Sequence, residues 1–305
     1  LALTVYPGSD AYNGTPCVLT IGNFDGVHKG HQALIKQNKI RAEALGLASV
    51  LYTFEPHPRQ ILQPNNHPPR ILSLKEKLRL IGEIGIEHVV VEPFDAHFAE
   101  HPAEWFAQEI IHTRLSAKAL VVGHDFRFGY RREGTSEKLQ AWLPDLPVEN
   151  LKAVHVGETI ASSSRIREAV AHGEVTRAQA LMGRPYTVHG RVVEGRGQGK
   201  EIGFPTANLE LSSALIPGRG VYAVQVEIGQ DIHPAVANLG VRPTFGKHQF
   251  CFEVHLLDKS IDLYGETLAV QMIDRIRSEK KFESVADLRA QIHLDIETAK
   301  GLLKR

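Results

Sequence analysis

Two histidines three residues apart, His28 and His31, lie in the stretch Gly22-Asn23-Phe24-Asp25-Gly26-Val27-His28-Lys29-Gly30-His31. A glycine-rich turn that opens a helix offers free backbone N–H groups, and the helix dipole adds to their preference for an anion. At this spacing both imidazoles can face one side. Donors placed in that way would stabilise the charge that builds up when a triphosphate is attacked at its α-phosphorus. Gly30, between the two rings, leaves space for a nucleotide against the main chain. Taken alone, the pattern also fits ordinary turn glycines and surface histidines. A metal site fits less well, because no third His or carboxylate falls nearby at a ligand spacing.

A second constellation stands in the other half of the chain. Gly195-Arg196-Gly197-Gln198-Gly199-Lys200-Glu201-Ile202-Gly203-Phe204-Pro205-Thr206-Ala207-Asn208 is a glycine-rich flap ending in a rigid proline. It is not a P-loop, for no GxxxxGK[ST] occurs. Thr206 and Asn208 alternate, so an extended segment turns both to one side. A hydroxyl and an amide carbonyl are hard oxygen ligands suited to Mg²⁺ carried on a nucleotide. Phosphoryl transfer to an alcohol also needs a base or a positioning carboxylate. Glu253, in Phe250-Cys251-Phe252-Glu253-Val254-His255, stands in an apolar strand where an unpaired carboxylate is costly. Period-two alternation also allows a solvent-facing glutamate there, and the glycines alone also fit a plain turn.

Around these sites, strand and helix alternate through about residue 180. Apolar runs at 18–21, 49–54, 88–91 and 119–122 read as buried strands, and 34–45, 74–84 and 102–115 as helices. That order predicts an α/β, Rossmann-like domain with a parallel sheet. Three segments then fall at strand ends or helix starts: Thr53-Phe54-Glu55-Pro56-His57-Pro58, Gly123-His124-Asp125-Phe126-Arg127-Phe128 and Ser162-Ser163-Ser164-Arg165-Ile166-Arg167. In an open α/β sheet, loops at the carboxyl ends of strands share one crevice. After Met182-Gly183 the period shortens toward two and Gly and Pro punctuate it, which predicts a small antiparallel β-barrel. A terminal amphipathic helix follows. Ser284 caps it, with Asp287 three residues on, and Val285, Leu288, Ile292, Ile296, Ala299 and Leu303 form its stripe. The expected domains are 1–182 and 183–305.

Composition narrows the function class. The 305 residues carry 35 basic and 35 acidic side chains, a net charge of zero. Neither half is a polycation, so a general nucleic-acid binder is not expected. Two cysteines with no CxxC pair give no thiolate zinc site or disulfide framework. The chain has no charged-then-apolar leader and no apolar run near about 18 residues, so no membrane span and a cytoplasmic location are expected. Of the sixteen histidines, His28 and His31 have a chemical assignment, and His57 and His124 one by position. Self-association is left open.

The combination IGNFDGVHKGHQ, TFEPHPRQIL, VVGHDFRFG and SSSRIR resembles the adenylyltransferase half of the bacterial bifunctional riboflavin kinase/FAD synthetase family. The segments GxGKxxGFPTANL, GVYAV, VANLGVRPTFG, FEVHLLD and DLYGETL resemble its riboflavin kinase half. The resemblance implies two ATP-dependent, Mg²⁺-dependent steps: riboflavin to FMN in the C-terminal half, and FMN to FAD with release of pyrophosphate in the N-terminal half. It assigns His28, His31, Gly22, Asn23, Phe24, Asp25, Ser163, Ser164 and Arg165 to the ATP of the adenylyl step. Phe54, His57, Asp125, Phe126, Arg127 and Phe128 would line its flavin side. For the kinase it implies Thr206 and Asn208 around Mg-ATP, with Gly199, Lys200 and Gly203 in the flap. Glu253 would activate the ribityl 5′-hydroxyl, and Arg277 would lie near the flavin. Two positions depart from the family's commoner residues: Ser164 stands for Thr, and Lys200 for Arg, which keeps the charge and loses a bidentate contact.

Overall fold

The computed structural model describes residues 3–195, 198–244, 247–259 and 261–304, the side chains of 198, 200 and 241–250 excepted. By its contacts the chain forms two compact units, Leu1–Pro68 with Leu72–Ser162, and Pro69–Ile71 with Ser163–Arg305. The division falls ahead of the change in texture at residue 183.

The first unit runs β1 (Thr4–Tyr6), β2 (Cys17–Ile21), α1 (Lys29–Leu45), β3 (Ala48–Glu55), α2 (Pro58–Leu62), α3 (Leu74–Ile84) and β4 (His88–Pro93). It continues with α4 (Ala96–Ala99), α5 (Ala103–Trp105), β5 (Ala117–Gly123), α6 (Ser136–Trp142), β6 (Val148–Leu151) and a small pair, β7 (His155–Val156) and β8 (Thr159–Ile160). Six strands form one sheet in the order β1-β4-β3-β2-β5-β6, every neighbour parallel. Alternate residues feed opposite faces. Val18, Leu51 and Val89 pack on one side, and Leu19, Val50 and Val90 on the other. Both faces are covered, which is why these strands read as unbroken apolar runs. The chain reverses its direction of travel across the sheet at β2, flanked by β3 and β5, so the loops after these three strands open into one crevice.

One expectation changes. The helix predicted from 102 to 115 is one α-turn, Ala103–Trp105, running into a π-helical segment, Phe106–Arg114. The wider turn brings Phe106, Ala107, Ile110 and Ile111 all into the core, a spacing that a 3.6-residue template does not distinguish.

In the second unit, α7 (Ser163–Ala171) and α8 (Val175–Met182) precede β9 (Tyr186–Val193), α9 (Gln198–Glu201), β10 (Ala207–Leu211) and β11 (Gly220–Ile228). Then come β12 (Asp231–Thr244), β13 (Lys247–Leu256), β14 (Thr267–Arg277) and α10 (Val285–Leu303). The strands close into an antiparallel barrel, β10-β13-β12-β11-β14-β9. Leu209, Ala237, Leu239, Phe252 and Val254 are buried in it. Residues between them, among them Asn208, Asn238 and Glu253, take the opposite face. α10 starts as its sequence predicts: the Ser284 hydroxyl accepts from the Asp287 N–H at 3.1 Å. Its apolar stripe is not uniformly buried, however. Val285 is 60% exposed, while Leu288, Ile292 and Ile296 border a cavity against the barrel wall.

Candidate active sites

The loop from Gly22 to His28 leaves the buried strand β2 through three residues with positive φ: Phe24 at 50°, Gly26 at 89° and Val27 at 39°. For a β-branched side chain this is an uncommon backbone, and strain of this kind collects at functional loops. Packing holds it, since Phe24 and Val27 are fully buried against Val18 and Ile35. The main chain is pinned as well. Buried Lys77 of α3 reaches the Asn23 carbonyl at 3.4 Å and the Thr53 hydroxyl at 3.1 Å, and the Leu72 N–H donates to the Asp25 carboxylate at 3.3 Å. Asn23 and Asp25 thus shape the loop through bonds to their neighbours. Lys77 carried no sequence motif; a lysine inside an amphipathic helix pattern was its only signal.

His28 is the N-cap of α1: its Nδ1 accepts from the His31 N–H at 3.3 Å. In the neutral ring the proton therefore sits on Nε2. The two imidazoles stack with centroids 3.5 Å apart and planes 20° apart, and Phe24 leans on His31 at 5.1 Å. A Cβ at Gly30 would meet the His28 ring at 3.1 Å, so this glycine makes room for the stacked pair. The pairing expected from the spacing is present, at the N-terminus of a long helix.

At the ends of the flanking strands, Phe54 is half-buried, edge-on to Tyr52 at 5.3 Å and to Phe94 at 5.5 Å. Tyr52 donates to Glu92 at 2.8 Å; burial first, then that carboxylate, push its hydroxyl well above the ordinary range, so it stays a donor. His57 caps α2, accepting from the Arg59 N–H at 3.1 Å. Phe126 stacks on Phe128 at 5.1 Å. Phe128 is itself a core residue against Phe106, whereas Asp125 and Arg127 are exposed. Ser163, Ser164 and Arg165 form the first turn of α7 in the second unit, where Arg165 pairs with Glu168 at 2.9 Å.

The barrel carries the other candidate site. Asn208 on β10 pairs in register with Glu253 on β13, and Glu253 with Asn238 on β12. The three side chains form a polar row on the outer barrel wall and border a cavity of about 320 Å³. Thr206, Gly199 and Arg277 border it too, and Leu288, Ile292 and Ile296 of α10 supply an apolar side. That volume and that mix suit a small ligand with an apolar body and a polar end. Arg277 is fixed by Asp295 of α10 through contacts of 2.8–3.1 Å, and its guanidinium lies 5.7 Å from the Phe282 ring. Cys251 donates to Glu253 Oε1 at 3.3 Å. A Cβ at Gly199 would collide with the Phe204 carbonyl and come 3.0 Å from the Thr206 hydroxyl, so the flap glycine lets the chain fold back on this segment. Gly203 has φ 89°. Arg196, Gly197 and the Lys200 side chain lie outside the described residues. Asn238 and Asp295 were not singled out from the sequence: one sits in a quoted motif without a role, and the other on a helix read for its apolar stripe.

Among the described residues, no group of three or more His, Cys, Asp or Glu side chains could hold a metal. Residues 11–165 match the family model for FAD synthetase, and residues 182–303 match that for riboflavin kinase. The curated relatives match across both halves of the chain. A Haemophilus influenzae protein named bifunctional riboflavin kinase/FMN adenylyltransferase is 40% identical over 93% of this chain and 94% of its own.

The chain belongs to the bifunctional riboflavin kinase/FMN adenylyltransferase family.

The Escherichia coli member of that family is also 40% identical, over 94% of each chain. A Streptococcus pneumoniae crystal structure described as a macrolide-efflux protein shares the fold with a TM-score of 0.90 and 34% identity, covering 98% of this chain and 99% of that one. No helix among the described residues here is long and apolar enough to cross a membrane.

Proposed function

We propose that the barrel cavity phosphorylates riboflavin to FMN and that the loop-helix site of the first unit adenylylates FMN to FAD, each step consuming ATP. The observation that carries the reading is the Asn208–Glu253–Asn238 row facing a cavity with one polar and one apolar side. The isoalloxazine takes the apolar side along α10, and the ribityl chain points its 5′-hydroxyl at Glu253. Glu253 accepts the hydroxyl proton as that oxygen attacks the γ-phosphorus of ATP; the bond from γ-phosphorus to the bridging oxygen breaks, and ADP leaves with the electron pair. Arg277, held by Asp295, orients the flavin.

Mg²⁺ fits the donor set. Thr206, Asn208 and Glu253 offer hard oxygens on one cavity without forming an all-protein cage, which suits a cation that keeps its water and phosphate ligands. When bound with ATP it neutralises charge on the phosphates. Thr206 and Asn208 are the residues that would hold it.

In the first unit, a phosphate oxygen of FMN attacks the α-phosphorus of ATP. The bond to the α,β-bridging oxygen breaks, and pyrophosphate leaves. His28, through Nε2–H, and His31 donate to the charge that develops there. Phe54, His57, Asp125, Phe126 and Arg127 serve the flavin side, with Phe128 stacked beneath Phe126. The functional division lies near residue 183, and the use of ATP is consistent with a cytoplasmic setting.

A crossed assay tests both assignments. Purified protein given riboflavin and Mg-ATP forms FMN and then FAD. Glu253→Gln stops FMN formation and leaves adenylylation of supplied FMN; His28→Ala with His31→Ala does the reverse. Bound flavin with no product, or equal loss of both activities in either variant, overturns the reading.

A further inference from the structure

Thr206 stands one residue outside the barrel ladder. β10 begins to pair with β13 at Ala207 and Val254, and Pro205, before it, has no N–H to give. The backbone that presents Thr206 must therefore be held by other means, and two bonds hold it. The Phe204 N–H donates to the Gly199 carbonyl at 2.7 Å, closing the end of the flap. The second bond comes from His255, whose Nδ1 lies 2.8 Å from the Pro205 carbonyl. A carbonyl only accepts, so Nδ1 carries a proton whether the ring is neutral or charged.

The same imidazole grips the segment a second way. Phe204, 8% exposed, meets the His255 ring edge-on at 5.8 Å and the His293 ring of α10 at 5.1 Å. His255 also borders the kinase cavity, two residues beyond Glu253 on the same face of β13.

We infer that His255 is a positioning residue for Thr206: it clamps the Phe204–Pro205 backbone so that the Thr206 hydroxyl meets the metal–nucleotide. The inference rests on the assignment of Thr206 to Mg-ATP proposed above. One strand then carries both the proposed base, Glu253, and the clasp that sets the neighbouring segment before β10. Alanine at 255 removes the donor and the ring; asparagine keeps a donor; phenylalanine keeps a ring without a donor.

The test uses calorimetric binding of ADP to the full chain, with Mg²⁺ in excess and with the metal chelated, alongside both activities. Loss of one hydrogen bond of this kind predicts that His255→Ala weakens Mg·ADP binding by about tenfold. It should change metal-free ADP binding by no more than about twofold and raise KM for Mg-ATP more than it lowers kcat. His255→Asn recovers most of the loss and His255→Phe does not, while FMN adenylylation in the same protein stays at the wild-type rate. Mg·ADP binding unchanged in His255→Ala but weakened in Thr206→Ala overturns the clasp alone. Binding unchanged in both variants overturns the assignment of Thr206, and the clasp with it. Equal loss with and without metal, or loss of both activities, overturns the clasp in favour of general loosening.

Discussion

Asp295 gives a test in which stability and chemistry can be separated. Its carboxylate is 3% exposed, accepts from Arg277 at 2.8–3.1 Å and also takes Gln291 at 3.0 Å. Asp295→Ala leaves the guanidinium without its counter-charge. Breaking a buried pair from one side costs about 3–5 kcal/mol. The Arg277 side chain retains 21% exposure, so water recovers part of this, leaving about 2–3 kcal/mol. For a unit of this size that lowers the melting temperature by roughly 4–12 °C. Riboflavin phosphorylation falls with it, because Arg277 loses its fixed direction, while FMN adenylylation persists below the transition. The double replacement Arg277→Met with Asp295→Leu exchanges the pair for apolar packing, which is often neutral. It should regain most of the melting temperature and none of the phosphorylation. Thermal unfolding of the full chain, with both activities measured on the same preparations, decides the matter. A transition for Asp295→Ala within about 1 °C of wild type refutes the buried-pair reasoning. A double variant that phosphorylates normally refutes the role of Arg277.

Three further outcomes are expected. Gly30→Ala puts a methyl 3.1 Å from the His28 ring while suiting the helix backbone, so FAD formation should fall about tenfold with riboflavin phosphorylation unchanged; unchanged FAD formation would show that the ring position does not matter. Burial pushes the Cys17 thiol up to about 12, and Cys17 is fully buried, so iodoacetamide should modify Cys251 alone in native protein and both thiols after denaturation, with FMN formation lost on the first event. Rapid native labelling of Cys17 refutes this. A hydrogen bond from His233 holds the Asp258 carboxyl below its ordinary value of 3.8. The folded value is depressed, so the stabilisation is present above the unfolded pKa and is lost as pH falls through the folded one. Asp258→Asn should therefore lower urea stability near neutrality and become neutral at acid pH, and a gap that does not change with pH refutes the linkage.

Much of the molecule could be read from local chemistry. Apolar runs such as 18–21 and 49–54 marked strands buried on both faces, and the Ser284–Asp287 cap fixed the start of the last helix. The spacing of the HxGH loop foretold two imidazoles sharing one side at a helix start, and the stacked rings of His28 and His31 are found there. What stayed hidden depends on pairing across distance. Asn238 becomes part of the site only once β12 lies beside β13 in one register. Asp295 is an ordinary helix residue until Arg277 is brought opposite it. His255 looks like any strand histidine until Pro205 runs past its ring. Lys77 acquires its place only when α3 passes beneath the loop after β2.

On β13 the proposed base and the core are threaded alternately. Phe252 and Val254 plug the barrel, while Glu253 between them faces the cavity. A slip of one position would hide the carboxylate in grease and offer a valine to the substrate, and it would also pull both plugs. A misthreaded barrel therefore forfeits stability and activity together and leaves no folded, inactive competitor for riboflavin. For this strand, proofreading of the fold is proofreading of the enzyme.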